Sequence, residues 1–122
     1  MYKVIWLAKF RQDLTHEQVL EWWRGHHADL AKATPGMLRY VQSYWTSGLD
    51  PHTHLESGPP AFDGHAEHWF ADKQSYEAAM ASPEWKATLA DGPNGFEESL
   101  IGAALVETVI CWHPMDDGRD SP

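Results

Sequence analysis

At 122 residues the chain can build one domain with a real core and is too short for two. Its formal charge is −9 and its nine Lys and Arg are scattered, so no basic stripe exists for phosphates and neither nucleic acid nor an anionic membrane is an expected partner. The single Cys111 excludes an internal disulfide and a Cys-based zinc site, while seven Trp and eight His stand out in so short a chain.

No apolar run approaches the roughly 18 residues of a membrane span. Met1-Tyr2-Lys3-Val4 opens a strand rather than a signal peptide, and a cytoplasmic protein is expected. Tyr2 to Phe10 is rich in β-branched and aromatic residues, with Lys3 and Lys9 opposite Tyr2, Val4, Trp6 and Phe10, which predicts a strand. After a turn at Arg11-Gln12-Asp13, Thr15 and Gln18 have capping-box spacing, and Leu14 and Val19 are placed for a hydrophobic staple. On an α-helix beginning there, Val19, Trp23, His26 and Leu30 share a narrow arc, with Trp22 and His27 on its flanks. The helix should end near Ala33, before the Pro35-Gly36 breaker.

Met37 to Thr46 alternates as a second strand, Arg39, Val41, Ser43 and Trp45 against Leu38, Tyr40, Gln42 and Tyr44. Residues 47–60 carry Gly and Pro punctuation with His52 and His54, a long loop of the kind that is functional or mobile. Asp63 to Ala71 predicts a third strand. Asp72 caps a short helix through Met80, and Ser82-Pro83 restarts another carrying Trp85 and Leu89. A turn at 91–95 precedes a weak helical turn with Phe96, Leu100 and Ile101, and Ala103 to Trp112 reads as the last strand. Residues 1–113 then form the domain and 114–122 a flexible, acidic tail.

The order β-α-β-β-α-β, with the second helix broken in two, predicts an α+β ferredoxin-like fold: a four-stranded antiparallel sheet with helices on one face. The first, second and last strands are apolar on both sides, for instance Ile5 and Leu7 against Val4 and Trp6. Such a sheet needs a second cover, and a two-fold partner supplies one, so a homodimer is expected.

His26-His27 is the chemically pointed feature. An imidazole titrates near pH 6.5 and both takes and gives a proton near neutrality. Set beside Trp22 and Trp23 on a core-facing segment, the pair suggests acid–base work on a greasy small molecule, the competing reading being a satisfied core histidine.

The chain resembles the EthD family of dimeric α+β barrel proteins. The resemblance is carried by the opening strand YKVIWLAKF, Trp22 and Trp23, the His27-Ala28-Asp29-Leu30 element, Pro35-Gly36 and Arg39-Tyr40-Val41-Gln42. It continues through Phe62-Asp63-Gly64, Ala66-Glu67, Trp69-Phe70 and Ala81-Ser82-Pro83-Glu84. Relatives include a methylmuconolactone isomerase and fungal polyketide-pathway proteins, and the wider superfamily holds cyclases, heme-dependent enzymes and cofactor-free monooxygenases. Two departures stand out: Asp29 replaces the Pro of the common His-x-Pro-Leu element, and His68 stands where an isomerase relative has cysteine.

The resemblance implies a pocket between the helices and the sheet of one subunit, with His27 at the family-matched position as candidate base. Its bland role is a helix C-terminal histidine interacting with the last carbonyls. His26 is a candidate pocket residue or a core imidazole; Tyr40 is placed to steady an oxyanion or simply to fill the core. His68 is a candidate proton-handling group on the strand face opposite Glu67, so those two cannot form a dyad, and Glu67 is expected to meet Arg39 or Lys3. His52 or His54 would reach over the pocket as a lid. Bound metal is not expected, because His52-x-His54 falls in a loop and His65-x-x-His68 splits across the strand. Trp6, Trp23, Phe70, Trp85 and Phe96, otherwise ordinary core, would suit a flat substrate.

No dinucleotide fingerprint, Walker loop, nucleophile elbow or facial triad is visible. The expected protein is a homodimeric, cofactor-independent acid–base enzyme, an isomerase, cyclase, dehydratase or lyase, acting on a small apolar aromatic, polyketide-like or lactone substrate. A cofactor-independent monooxygenase on an activated phenol and a non-catalytic ligand-binding accessory protein of an oxidative catabolic pathway remain the alternatives.

Overall fold

The structure, a computed structural model, describes residues 1–97 and 100–114; the expected tail beyond 114 lies outside the described residues. Four strands, β1 (Tyr2–Ala8), β2 (Arg39–Tyr44), β3 (Gly64–Phe70) and β4 (Ile101–Leu105), form one sheet in the order β2-β3-β1-β4. All three pairings are antiparallel, with Val4 opposite His68 and Ala104, and Tyr40 opposite His68. This is the ferredoxin-like α+β fold.

Each helix starts where its cap dictates. Thr15 accepts from the Gln18 backbone while the Gln18 side chain accepts from the Thr15 amide, opening α1 (His16–Trp22) with a reciprocal box. Asp72 caps α3 (Lys73–Met80), and Ser82 with Pro83 at the first position starts α4 (Pro83–Asp91).

The first helix departs from the expected regular α-helix. A π-helical turn at Trp23–His27 joins α1 to α2 (Ala28–Lys32). Its wider i→i+5 closure takes up extra chain per turn, so side chains four apart stay in line. Val19, Trp23, His27 and Ala31 are therefore the buried row, and His26, placed mid-stripe by strict 3.6-residue periodicity, is exposed.

The helices cover the face carrying Val4, Ala8, Ala66, His68 and Phe70. Val19 and Trp23 close over Ala8, Phe10, Ala66 and Phe96, while Phe70, Val4 and Ala79 form a second cluster. Burial of these aromatic and aliphatic groups is the main cohesive force, about 1.5–3 kcal/mol for each large side chain.

The opposite face is half-buried and mixed. Lys3 lies 3.3 Å from Glu67 and also pairs with Glu107, while Lys3 and Arg39 sit over the Trp69 ring at 4.5 and 4.8 Å. Ile5 and Leu7 share that face, partly covered.

Two boundaries differ from the sequence expectation. β1 stops at Ala8, and Phe10 makes an isolated bridge to Phe96 instead of extending the strand. β4 spans Ile101–Leu105, not 103–112, and Ile101 belongs to it rather than to a helical turn. The reason is the partner: Leu105 pairs with Lys3, and β1 has almost no chain left beyond that point to hold a longer strand.

Candidate functional site

Between helices and sheet lies a cavity of about 290 Å³. Its floor is Trp6 and Ala8 of β1, Tyr40 of β2, and Ala66 and His68 of β3. Trp23 and His27 of the π turn, Ala31 of α2, and Trp85, Thr88 and Leu89 of α4 form the roof; Phe96, Glu97 and Leu100 complete the wall with the 92–93 turn. The lining is apolar and aromatic with a few convergent polar groups, the make-up of a small-molecule site.

His27 is held by a carboxylate that sequence reasoning missed. Asp91, the last residue of α4 and itself buried, has its Oδ2 2.9 Å from His27 Nδ1. The same oxygen accepts from Trp22 Nε1 at 3.0 Å, and Oδ1 accepts from Asn94 Nδ2 at 2.8 Å. Burial alone would raise the Asp91 pKa, but hydrogen bonds from Asn94 and His27 outweigh it and hold the carboxyl below its usual range. An ionised carboxylate only accepts, so His27 Nδ1–H is the donor and the Nε2 lone pair is free for other chemistry.

Burial lowers the His27 pKa more strongly than Asp91 raises it, keeping the imidazole neutral at pH 7. Its ring is clamped between Trp22, 4.6 Å away, and Phe96, edge-on at 5.6 Å. Gly95 makes room for the clamp, since a Cβ there would come within 2.2 Å of two Trp22 ring carbons. One clue to Asp91 was available: an acidic residue closing a helix opposes the macrodipole, so a buried one needs a cationic or hydrogen-bonding partner.

On the floor, His68 is 3 % exposed and stands edge-on to Tyr40 at 5.0 Å and Trp85 at 5.5 Å. Its Nδ1 is buried without a hydrogen-bond partner. Burial, with a smaller contribution from His27, lowers its pKa to about 4, so it is a neutral donor and acceptor at pH 7. Tyr40 accepts from Gln42 Nε2 at 2.7 Å, and Gln42 also donates to the Trp23 carbonyl at 2.8 Å. Burial, partly offset by Gln42, raises the Tyr40 pKa and keeps it a phenol able to donate.

His27, His68, Tyr40, Trp6, Trp23, Trp85 and Phe96 thus meet at one cavity. Four other candidates do not. His26 is outside, its exposed ring 3.7 Å from Asp91 Oδ1. Phe70 is fully buried in the second cluster and does not line the cavity. His52 and His54 are exposed in the 47–60 loop and do not line the cavity. Among the described residues no group of three or more His, Cys, Asp and Glu could hold a metal ion, and no helix is long and apolar enough to cross a membrane.

Fold and cavity together define a ferredoxin-like α+β protein with an apolar cavity between its helices and its sheet. The EthD domain model matches residues 11–98, and the chain belongs to the EthD family. An EthD family protein from Bacillus halodurans C-125 is similar over 88 % of this chain and 99 % of its own, with TM-score 0.72 and 23 % identity. An EthD-like protein from Ralstonia eutropha JMP134 gives TM-score 0.70 and 16 % identity over 90 % and 94 % of the two chains. A dimeric ferredoxin-like protein of unknown function from Bacteroides fragilis NCTC 9343 covers 85 % of this chain and 93 % of its own, with TM-score 0.55 and 16 % identity. No curated protein matches the chain in sequence.

Proposed function

We propose that the protein is a cofactor-independent acid–base enzyme acting on a small, flat, largely apolar substrate of the aromatic, polyketide-like or lactone type. The observation that carries this reading is the buried His27–Asp91 pair at 2.9 Å, which leaves a neutral imidazole with a free Nε2 at an apolar cavity. His27 Nε2 removes a proton from an acidic C–H or O–H of the substrate. Asp91 holds the tautomer and stabilises the imidazolium that forms. Tyr40 and His68 donate to the oxygen on which negative charge develops, and the imidazolium returns the proton at a second position. Isomerisation, cyclisation, dehydration and retro-aldol-type cleavage all fit this proton traffic.

The working form is proposed to be a homodimer of the 1–113 unit, in the cytoplasm. The support is the dimeric description of the Bacteroides fragilis relative, together with Ile5 and Leu7 on the outer sheet face and exposed Val106, Val109, Ile110 and Trp112.

A suitable probe is 2-tetralone, a flat ketone with an acidic C–H, followed by NMR for deuterium uptake in heavy water. Exchange should be accelerated by the wild-type protein and fall about 10²–10⁴-fold in His27→Ala, the usual contribution of one general base. Undiminished exchange in that variant would remove His27 as base. Ligand retention by a protein that accelerates no exchange would favour the accessory-binding reading.

A further inference from the structure

The cavity's charge and hydrogen-bond inventory narrows what it can hold. Among the described residues no Lys or Arg lines it, while Glu97 stands in the wall and Asp91 behind His27. Both lining imidazoles are kept from the protonated form by burial, His68 to about 4. A carboxylate ligand entering this space would leave water and find no cation, the arrangement that buried charges tolerate least.

Among the described residues, two fully buried polar atoms of the cavity-lining side chains are without partners. Trp6 Nε1 and His68 Nδ1 are both buried and both make no hydrogen bond. Trp6 stands opposite Ala66 and His68 opposite Val4, so the two are diagonal neighbours on the inner face of adjacent strands. An indole N–H is a donor only, and a neutral imidazole has one N–H to offer. Buried polar atoms without partners are rare and unfavourable, and a turn of either ring toward the cavity is what would bring an N–H to an oxygen there. The indole also packs closely on β4: at Gly102, its partner there, a Cβ would come within 2.4 Å of an indole ring carbon.

We infer that the cavity is built for an uncharged, flat ligand bearing a carbonyl or phenolic oxygen, and that Trp6 and His68 receive that oxygen on the sheet side while Trp23, Trp85 and Phe96 flank the ring. This rests on the acid–base reading of the same cavity and goes further by naming the ligand's charge and its oxygen site. With the oxygen on the floor, the acidified proton of the ligand is turned toward His27 in the roof. Discrimination then comes from two sources: a carboxylate is refused for want of a cation, and a hydrocarbon leaves the donors unanswered.

Isothermal titration of four near-isosteric probes tests this. They are 1-acetylnaphthalene, 1-ethylnaphthalene, 1-naphthoate and 1-naphthylmethylammonium. The ketone should bind about tenfold or more tightly than either ion and about fivefold more tightly than the ethyl compound, whose shape it shares without the acceptor. Trp6→Phe should erase the ketone-over-ethyl preference and leave the ethyl compound within about twofold of its wild-type affinity. His68→Leu should reduce the same preference, and it decides the matter with the wild-type series should Trp6→Phe fail to fold. An ion binding as well as the ketone, equal binding of ketone and ethyl compound, a preference intact in both variants, or no binding of the ketone would each overturn the inference. Catalysis is read separately. If the ketone series behaves as stated and 2-tetralone exchange is absent, the oxygen site stands and the acid–base reading falls; if exchange occurs without the preference, the acid–base reading stands and the oxygen site falls.

Discussion

Asp91 does for His27 what sequence alone could not reveal. It should act as a positioning residue: Asp91→Asn allows the other imidazole tautomer and removes the stabilised imidazolium, lowering turnover of 2-tetralone exchange by about 10²–10⁴-fold with KM little changed. Because the carboxylate raises the His27 pKa against burial, its loss should also move the rising limb of the pH–rate profile to lower pH. A purely structural role would weaken the protein without that displacement. His68 makes a second prediction, on stability. Its folded pKa, about 4, lies below the ordinary 6.5, so the unfolded chain binds the extra proton between those values. Stability of about 3 kcal/mol is therefore present above pH 6.5 and lost as pH falls through about 4. The difference between urea midpoints measured at pH 7 and pH 5 should shrink in His68→Leu, the remainder including His27, whose pKa burial also lowers. The placement of His68, Tyr40 and Trp6 on one face was legible from strand alternation. Asp91 was not, because it lies 64 residues from His27 and only the packing of two helices brings them together.

Among the elements, the caps at Thr15, Asp72 and Ser82 were readable because they are local hydrogen-bond chemistry. The π turn was not, since an α-helical wheel puts His26 near the stripe centre and only the altered closure brings His27 into the row. The end of β4 was equally hidden. Apolar residues run on to Trp112, but pairing is limited by where β1 begins, a property of the partner strand. β4 also bears on the cavity through Gly102. Gly102→Ala should drive the Trp6 indole toward the cavity, cost about 1–3 kcal/mol by overpacking, and weaken 1-acetylnaphthalene binding. Urea unfolding and calorimetry check the two halves of that expectation.

For the whole molecule, the element order was enough to give the ferredoxin-like fold, because few topologies accommodate β-α-β-β-α-β. Cavity size was beyond reach, as it depends on close approaches such as Trp6 over Gly102 that no periodicity encodes. The proposed dimer follows from the outer sheet face and the unpaired apolar stretch after Leu105. Light scattering should return about twice the chain mass of 13.8 kDa. That mass should hold on raising salt to about 0.5 M, because apolar burial is not screened as ion pairs are. A species of single-chain mass at all concentrations would sink the dimer.

The oxygen that Asp91 gives to His27 is also the one that takes the Trp22 indole proton. A spectroscopic label is thus already wired to the hidden imidazole. Any event that redistributes charge along this shared contact, whether titration or arrival of a guest, must register in the resonance of that indole hydrogen. The chamber can be watched from within.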